Sequence, residues 1–260
     1  MRPEPHMNHG EPVSHPASAR IHNRLLGGKD HYLPDRQVVE ELLKVMPAAE
    51  AIAVASRNFQ LRAVDYLAQG GLRQFLDVGC GLPTGEPIHK VVRGVAPRAR
   101  VVYVDSDPMV AASTRALPAC RGGLGVVEGD MHDLDIVLAA ASDTLDLQRP
   151  VAVLLGEVLS STEAASDIIG GLVERLSAGS RLVISHPEAG HREMEAAAQV
   201  YRRMAGPVFL RTAEDLAVML KGLDIVDPGI VSAANWEPTS SLPRYRSPLP
   251  VLGAVAAVPA

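Results

Sequence analysis

The chain has 260 residues, a hydrophobic fraction of 47% and a formal net charge of −5 at pH 7. This length suits one large α/β domain, and the acidic balance excludes a basic field for nucleic acid. Two cysteines, Cys80 and Cys120, do not make a disulfide framework, so a reducing, cytoplasmic location is expected. We find no signal peptide and no segment of membrane-spanning length.

The N-terminal quarter of the chain is predicted to be a tail followed by helices. Residues 1–18 are rich in Pro, His, Glu and Ser, which predicts a mobile tail, and their irregular histidine spacing predicts no metal site. From 19 to 71, apolar residues recur at helical intervals, with breaks at Gly27-Gly28 and before Pro47. Arg57, Asn58 and Arg62 are expected on solvent-facing helix surfaces, with support of the cofactor lid as the alternative.

After this region, short apolar strands alternate with segments long enough to be crossover helices. The predicted strands are 75–79, 100–105, 124–128, 151–155 and 181–185. The predicted helices between them are 84–96, 108–117, 133–143 and 163–177. A helical stretch (189–220) and two final strands (223–235 and 249–258), joined by a proline-rich loop, complete the chain. The alternation predicts an α/β fold with a doubly wound, mostly parallel sheet and an antiparallel last pair.

The segment FLDVGCG (75–81) predicts a strand, a tight turn and a helix N-terminus, where α/β proteins hold a nucleoside or anionic ligand. A dinucleotide fingerprint requires a third glycine, and Thr84 stands in its place. Asp77 would repel a pyrophosphate and attract an ammonium group. With Gly79 and Gly81, it favours a nucleoside that carries a cationic amino-acid tail.

Later strands also end in polar groups that suit parts of one ligand. Asp105 could accept hydrogen bonds from both ribose hydroxyls, whereas Asp130 could accept from an adenine amino group while Met131 packs on the ring. Gly156 and Glu157 follow the fourth strand, beside the expected reactive end of the ligand. Any one of these aspartates could instead cap a helix. Their occurrence at consecutive strand ends favours ligand binding.

The chain resembles the S-adenosylmethionine-dependent methyltransferases, and within them an actinobacterial group once classed as a domain of unknown function. The resemblance rests on seven segments: ARIHNRLLGGKDHYLPDR (19–36), RQFLDVGCGLPT (73–84), ARVVYVDSDPMV (99–110), GDMHD (129–133), RPVAVLLGEVL (149–159), LVISHP (182–187) and GLDIVDPGIVSAANW (222–236). It covers nearly everything after the tail, and LLGGKD and GLPT are specific to the group.

This resemblance implies a seven-stranded sheet with a reversed last strand and S-adenosylmethionine as the cofactor. The cofactor-binding residues that it implies are Asp77, Gly79, Gly81, Asp105, Ser106, Asp130 and Met131. One departure is Pro87, which stands where the group commonly has asparagine. We expect a single domain over 19–260, with a helical lid or cap at 19–71 and a Rossmann-like core at 72–260.

The segment from Asn23 to Arg36 is predicted to fold over the cofactor as a lid, with a surface helix turn as the alternative. Its flexible and polar residues are Asn23, Gly27, Gly28, Lys29, Asp30, His31 and Tyr32. Deleting 19–36 should then weaken cofactor binding.

Methyl transfer from a sulfonium is an in-line displacement, in which the protein mainly positions the acceptor. His186 and Glu157 are the candidate bases, although a turn histidine and a helix cap or cofactor contact are the structural alternatives. The fourth strand lacks the Asn/Asp-Pro-Pro-Tyr/Phe motif of nucleic-acid amino-methylases, which leaves a small-molecule acceptor. Two further functions stay open: a protein that only binds or senses S-adenosylmethionine, and a nicotinamide oxidoreductase.

Overall fold

The computed structural model describes residues 14–117, 122–236 and 248–259. Most of the predicted tail, Cys120 and most of the proline-rich loop between the last strands lie outside these residues. The end of the predicted tail contacts the first helices: the backbone N–H of Ala17 donates to Asp35, and Arg20 donates to the His15 carbonyl. Residues 15–18 are therefore held against the fold.

Three helices precede the sheet: α1 (Ser18–Leu25), α2 (Leu33–Val45) and α3 (Ala49–Gln69). A buried ion pair joins the first two, since Arg20 Nε lies 2.9 Å from Asp35 Oδ2 and the Asp35 side chain is fully buried. Asp35 also accepts from the backbone N–H of Tyr32 at the start of α2. One carboxylate thus fixes the angle between α1 and α2.

The predicted alternation of strands and helices follows. The strands are β1 (Gln74–Val78), β2 (Arg100–Asp105), β3 (Leu124–Glu128), β4 (Ala152–Gly156) and β5 (Arg181–Pro187). The helices between them are α4 (Ile88–Val95), α5 (Pro108–Arg115), α6 (Leu134–Ala141) and α7 (Ala165–Arg175). Val, Leu and Ile dominate the strands because both faces of a parallel sheet are covered by helices.

The C-terminal part refines the prediction. The predicted helical stretch divides into α8 (Arg192–Met204) and α9 (Ala213–Met219). The predicted strand 223–235 forms two short strands, β6 (Asp224–Ile225) and β7 (Val231–Ser232). Between them Pro228 has no N–H donor and Gly229 has φ +94°, so the ladder cannot continue. Both strands pair antiparallel with β8 (Val251–Ala257).

Within the described residues the sheet has eight strands, in the order β3-β2-β1-β4-β5-β8-β6, and β7 also pairs with β8. The first five are parallel, and β8 runs antiparallel to β5. This confirms the doubly wound α/β fold with a reversed last strand. The strand order reverses between β1 and β4, which opens a crevice at their carboxyl ends.

Helices cover both faces of the sheet. On one face, α1–α4 and α8 pack over a cluster that includes Phe59 and Trp236, whose rings meet edge to face at 5.4 Å. On the other face, α6, α7 and α9 cover Leu76, Val153 and Ile184. None of the described helices is both long and apolar enough to cross a membrane.

Candidate functional site

A cavity of about 600 Å³ opens at the carboxyl ends of β1, β2 and β4 and continues beneath α1, α2, α3 and α8. Its volume lies in the usual range for small-molecule sites. All eight predicted cofactor-binding residues line it: Asp77, Gly79, Gly81, Asp105, Ser106, Asp130, Met131 and Gly156. The candidate base Glu157 also lines it.

The turn after β1 brings backbone to the cavity wall. Gly79 and Gly81 have φ values of +67° and +66°, which glycine adopts without strain. The Gly79 N–H donates to the Val104 carbonyl at 2.8 Å, and a Cβ on Gly79 would lie 2.5 Å from Val158 Cγ2. At Gly81 a Cβ would meet no atom within 4 Å. Gly79 is therefore required by conformation and by space, whereas Gly81 is required by conformation alone.

Asp77 is a buried acid at the cavity wall. The residue is 3% exposed, and its carboxylate accepts no hydrogen bond from the residues that the structure describes. Burial raises the pKa of Asp77 to about 6; the Arg57 charge opposes this shift and the Asp105 charge adds to it. A cation that entered the cavity would stabilise the ionised form.

Asp105 at the end of β2 organises the turn. Its Oδ2 accepts from the Gly81 N–H at 2.9 Å, and its Oδ1 accepts from the Asp107 N–H at 3.0 Å. Burial raises the pKa of this carboxyl, while these backbone hydrogen bonds oppose the shift. A carboxylate oxygen can accept two hydrogen bonds, so both oxygens keep capacity for a ligand hydroxyl.

Asp130 after β3 holds a local turn and is not the N-cap of α6, which is Asp133. Its Oδ1 accepts from the His132 backbone N–H at 2.9 Å and lies 2.6 Å from His132 Nδ1, which is a local turn. The hydrogen bond from the His132 backbone lowers the pKa of Asp130. The side chain nevertheless lines the cavity, and the neighbouring Met131 is 7% exposed. His132 also lines the cavity, and its Nε2 lies 3.0 Å from Thr162 Oγ1.

Glu157 is distinctive in both backbone and side chain. Among the described residues it is the one non-glycine with a positive φ, at +60°. Its Oε1 is buried and has no hydrogen-bond partner in the described part of the chain. Such backbone strain costs on the order of 1–3 kcal/mol and concentrates at functional sites. Beside it, Gly156 leaves room for the Gln60 side chain, which would overlap a Cβ at that position.

The helical part of the cavity is mostly apolar, and the sequence analysis did not identify it. Its walls come from α1, α2, α3, α8 and the segment after α8; its apolar members include Ile21, Leu25, Leu42, Met46, Ile52, Met194, Val208 and Leu210. Its polar members include Ser18, and the Tyr201 hydroxyl donates to Ser18 Oγ at 2.8 Å. The apolar stripe of α1 was the available signal, but a helical stripe reads equally as core.

His186 does not face the cavity, so that expectation is wrong. It is fully buried, its Nδ1 lies 2.9 Å from the Pro187 carbonyl, and its Nε2 lies 2.8 Å from Arg211 Nη1. A neutral ring that donates from Nδ1 and accepts at Nε2 satisfies both contacts. Burial lowers the pKa of His186 to about 4, with the Arg211 charge acting in the same direction.

The predicted lid residues stand apart from the cavity lining. None of the seven, Asn23, Gly27, Gly28, Lys29, Asp30, His31 and Tyr32, is among the described residues that line the cavity. Asn23 instead forms a clasp: its Nδ2 donates to Thr84 Oγ1 at 2.8 Å, and its Oδ1 accepts from the Asp30 N–H at 2.9 Å. Gly28 packs on the Asn23 amide, which a Cβ would overlap. The cover over this cavity is α1, whose Asn23 links the LLGGKD segment to the GLPT turn.

Two arginines of α3 depart from the prediction of solvent-facing charges. Arg57 lines the cavity and donates to Gln60 Oε1 at 3.2 Å and to the Glu86 carbonyl at 3.0 Å. Arg62 is 2% exposed and donates to the carbonyls of Ala233 and Trp236. Pro87, which replaces the asparagine common in the resembling group, also lines the cavity.

Comparison with known proteins agrees with this geometry. Residues 9–259 match the profile of the family described as S-adenosyl methyltransferase. A DUF574 family protein from Streptomyces avermitilis is 36% identical, with a TM-score of 0.88 over 94% of this chain and 98% of its own. A candidate methyltransferase from Thermobifida fusca is 32% identical, with a TM-score of 0.90 over 95% and 97% of the two chains.

More distant structures share the fold. The plantazolicin methyltransferase BpumL, solved with a triazolic desmethylPZN analog and SAH, is 11% identical, with a TM-score of 0.53 over 93% of this chain and 96% of its own. No curated protein sequence matches the chain. The family match confirms S-adenosylmethionine as the cofactor over a nicotinamide dinucleotide. The chain belongs to the S-adenosyl methyltransferase family and is an S-adenosylmethionine-dependent methyltransferase.

Proposed function

We propose that the cofactor occupies the strand-end half of the cavity and that a small-molecule acceptor occupies the helical half. Asp105 accepts from the ribose hydroxyls, and Asp77 faces the ammonium group of the amino-acid tail. Gly79 and Gly81 allow the cofactor close to the backbone. Asp130 and Met131 hold the adenine, Ser106 lies beside the ribose, and Gly156 lies beside the reactive end.

One observation carries this proposal: Asp77, Asp105 and Glu157 lie at the carboxyl ends of adjacent strands and line one cavity. Asp77 is buried, so its ionised form is costly, and the Arg57 charge offsets this cost only in part. A ligand ammonium group would offset the rest. Two backbone N–H groups already orient the Asp105 carboxylate. Its remaining lone pairs can therefore accept the ribose hydroxyls without a change in side-chain conformation.

When bound, S-adenosylmethionine supplies the electrophilic methyl group. The contribution of this chain is to hold the acceptor in line behind that methyl and to exclude water from it. Helices α1 and α8 enclose the acceptor half, and the Tyr201–Ser18 hydrogen bond joins them across the cavity. Glu157 is the candidate general base because it lines the cavity at the junction of the two halves and its Oε1 has no hydrogen-bond partner among the described residues.

His186 is not retained in this role, since both of its ring nitrogens have protein partners. We propose α1, rather than the segment that follows it, as the lid, within one domain from residue 19 onward. A cytoplasmic location stays a prediction from composition.

A ligand comparison tests the assignment of the cavity. S-adenosylmethionine and S-adenosylhomocysteine should each raise the melting temperature of the purified protein, and NADH should not. Radiolabelled methyl groups should then appear in the small-molecule fraction of a cell extract. Stabilisation by NADH alone, or label confined to nucleic acid, would overturn the proposal.

A further inference from the structure

The helical half of the cavity has a composition that restricts the acceptor, provided that the cofactor binds as proposed above. Its surface is contributed mainly by Leu, Ile, Met, Ala, Val and Pro side chains from four helices. An acceptor gains affinity there by burying apolar surface, roughly 25 cal/mol per Å². The body of the acceptor is therefore apolar.

Glu157 is the one carboxylate at the junction between this apolar half and the strand ends. Its Oε1 is shielded from solvent and lacks a partner among the described side chains and backbone groups. Residue 157 stands at the N-cap of a short 3₁₀ turn (Val158–Ser161) with left-handed backbone, but its side chain makes no capping hydrogen bond. The nearby Tyr201 hydroxyl already donates to Ser18, so it does not satisfy Glu157. Because the residue also lines the cavity, we match its carboxylate to a hydrogen-bond donor on the acceptor molecule.

The charges around the cavity indicate which chemical group of the acceptor molecule donates to Glu157. Five carboxylates line it, at Asp77, Asp105, Asp107, Asp130 and Glu157. Arg57 is the sole lysine or arginine among the described lining residues, and it is held by Gln60 and the Glu86 carbonyl. A carboxylate or phenolate nucleophile would be an anion in a negative, poorly solvated chamber, where like charges repel strongly. A nitrogen nucleophile reacts as a neutral group and avoids this cost.

We infer that the acceptor is an apolar amine, which enters as an ammonium ion and pairs with Glu157. Glu157 takes one proton from the nitrogen, and this exposes the lone pair. The nitrogen then forms the new N–CH₃ bond as the S–CH₃ bond breaks, and the electrons of that bond stay on sulfur. The product is an N-methylammonium ion and a neutral thioether, so the positive charge moves from sulfur to nitrogen within the same negative field.

Three matched probes test this inference by calorimetry: naphthylmethylamine, naphthylmethanol and naphthoic acid. Each is titrated into protein saturated with S-adenosylhomocysteine. The amine should bind roughly tenfold or more tightly than the alcohol, as expected for a charge-assisted hydrogen bond, and the acid should bind most weakly. In Glu157→Gln the amine should lose this advantage. Glu163→Gln, an exposed neighbour outside the lining, should behave like the wild type.

The two levels of the proposal fail in different ways. Absence of S-adenosylhomocysteine binding contradicts the proposed use of the cavity. Normal S-adenosylhomocysteine binding with no amine binding, with the alcohol or acid bound as tightly as the amine, or with amine preference retained in Glu157→Gln, contradicts the acceptor class alone. The wild-type preference is measured independently of whether the variant folds.

Discussion

The two halves of the cavity are built differently. The strand-end half presents polar groups at the carboxyl ends of β1, β2 and β3, each fixed by backbone hydrogen bonds or by burial. The helical half presents apolar side chains from α1, α2, α3 and α8, with Glu157 at the boundary. The first half can recognise each chemical group of a ligand separately, whereas the second can select a ligand mainly by its shape and by one charge.

This difference follows from how each half is held. Parallel strands fix their carboxyl ends within the hydrogen-bonded sheet, so polar groups there are preorganised. The helical walls are held by packing and by a few links, such as Arg20–Asp35 and Asn23–Thr84. Under the proposed division of the cavity, cofactor recognition depends on single side chains, and acceptor recognition depends on how four helices enclose the chamber.

The largest expected effect comes from Asp105→Ala. It removes the proposed ribose acceptor and the two backbone hydrogen bonds that orient the Gly81 turn. We expect S-adenosylmethionine affinity to fall by at least about a hundredfold, the lower end of what two charge-assisted hydrogen bonds contribute. Calorimetry measures it, with the exposed Asp143→Ala as a control. A loss of less than a few fold would show that the strand-end half does not read the ribose in this way.

Alanine substitutions at the two turn glycines separate the cost of a positive φ from the cost of a steric overlap. Gly81→Ala should destabilise the protein by about 1 kcal/mol, because only the positive φ opposes it. Gly79→Ala should cost about 2–3 kcal/mol, because its Cβ also overlaps Val158. Urea unfolding measures both. Equal losses would contradict the close packing of this turn against the residue that follows Glu157.

The cofactor affinity should depend on pH through Asp77. Its pKa in the free protein is raised to about 6, so the carboxyl is increasingly protonated below that pH and attracts an ammonium group less. Between about pH 6 and pH 5, affinity should fall by up to about tenfold. Asp77→Asn should have lower affinity at neutral pH and a flatter profile. Burial also raises the pKa of Asp105, so the cofactor affinity of this variant should keep some dependence on pH.

In the unliganded protein, the contribution of Asp77 to stability should change with pH in the direction opposite to that of the cofactor affinity. Because the folded pKa of Asp77 lies above its ordinary value of 3.8, the folded state binds the proton more tightly than the unfolded chain does. The contribution of Asp77 to stability is therefore present at low pH and declines as pH rises from about 4 to about 6. Asp77→Asn should remove this decline in urea unfolding. A steeper decline in the variant would contradict the burial argument.

The smallest effect concerns the clasp between the LLGGKD segment and the GLPT turn. Asn23→Ala removes both of its hydrogen bonds, so we expect a loss of stability of about 1–2 kcal/mol and only a few-fold change in cofactor affinity. Asn23→Asp retains an acceptor for the Asp30 N–H and should lose less stability. A large loss of cofactor affinity would mean that this segment is a true lid.

The strand-end half was predictable from sequence because its signals are local. A strand, its terminal acid and the following glycines lie within seven residues in FLDVGCG, and the alternation of elements fixes which strand ends meet. The confirmed fold and the placement of Asp105 and Glu157 in the lining follow from that alternation.

The helical half was not predictable because its walls join residues that are distant in sequence. The Tyr201–Ser18 hydrogen bond and the placement of Leu210 near α1 leave no local pattern. His186 failed for a related reason, since a strand-end histidine can turn away from the cleft when Arg211 offers it a partner. The charge of Arg62 predicted a solvent-facing side chain. The side chain is buried instead, because carbonyls of the segment before the last strand accept its hydrogen bonds.

A crystal structure of the protein with S-adenosylhomocysteine tests the central claim most directly. The account predicts the ribose hydroxyls within hydrogen-bond distance of Asp105 and the amino group beside Asp77. It also predicts that the sulfur faces the chamber between Glu157 and α1, with that chamber left open for an acceptor. An adenosyl group lying among the apolar side chains of α1, α2 and α8, with Asp105 still uncontacted, would contradict the division of the cavity into these two halves.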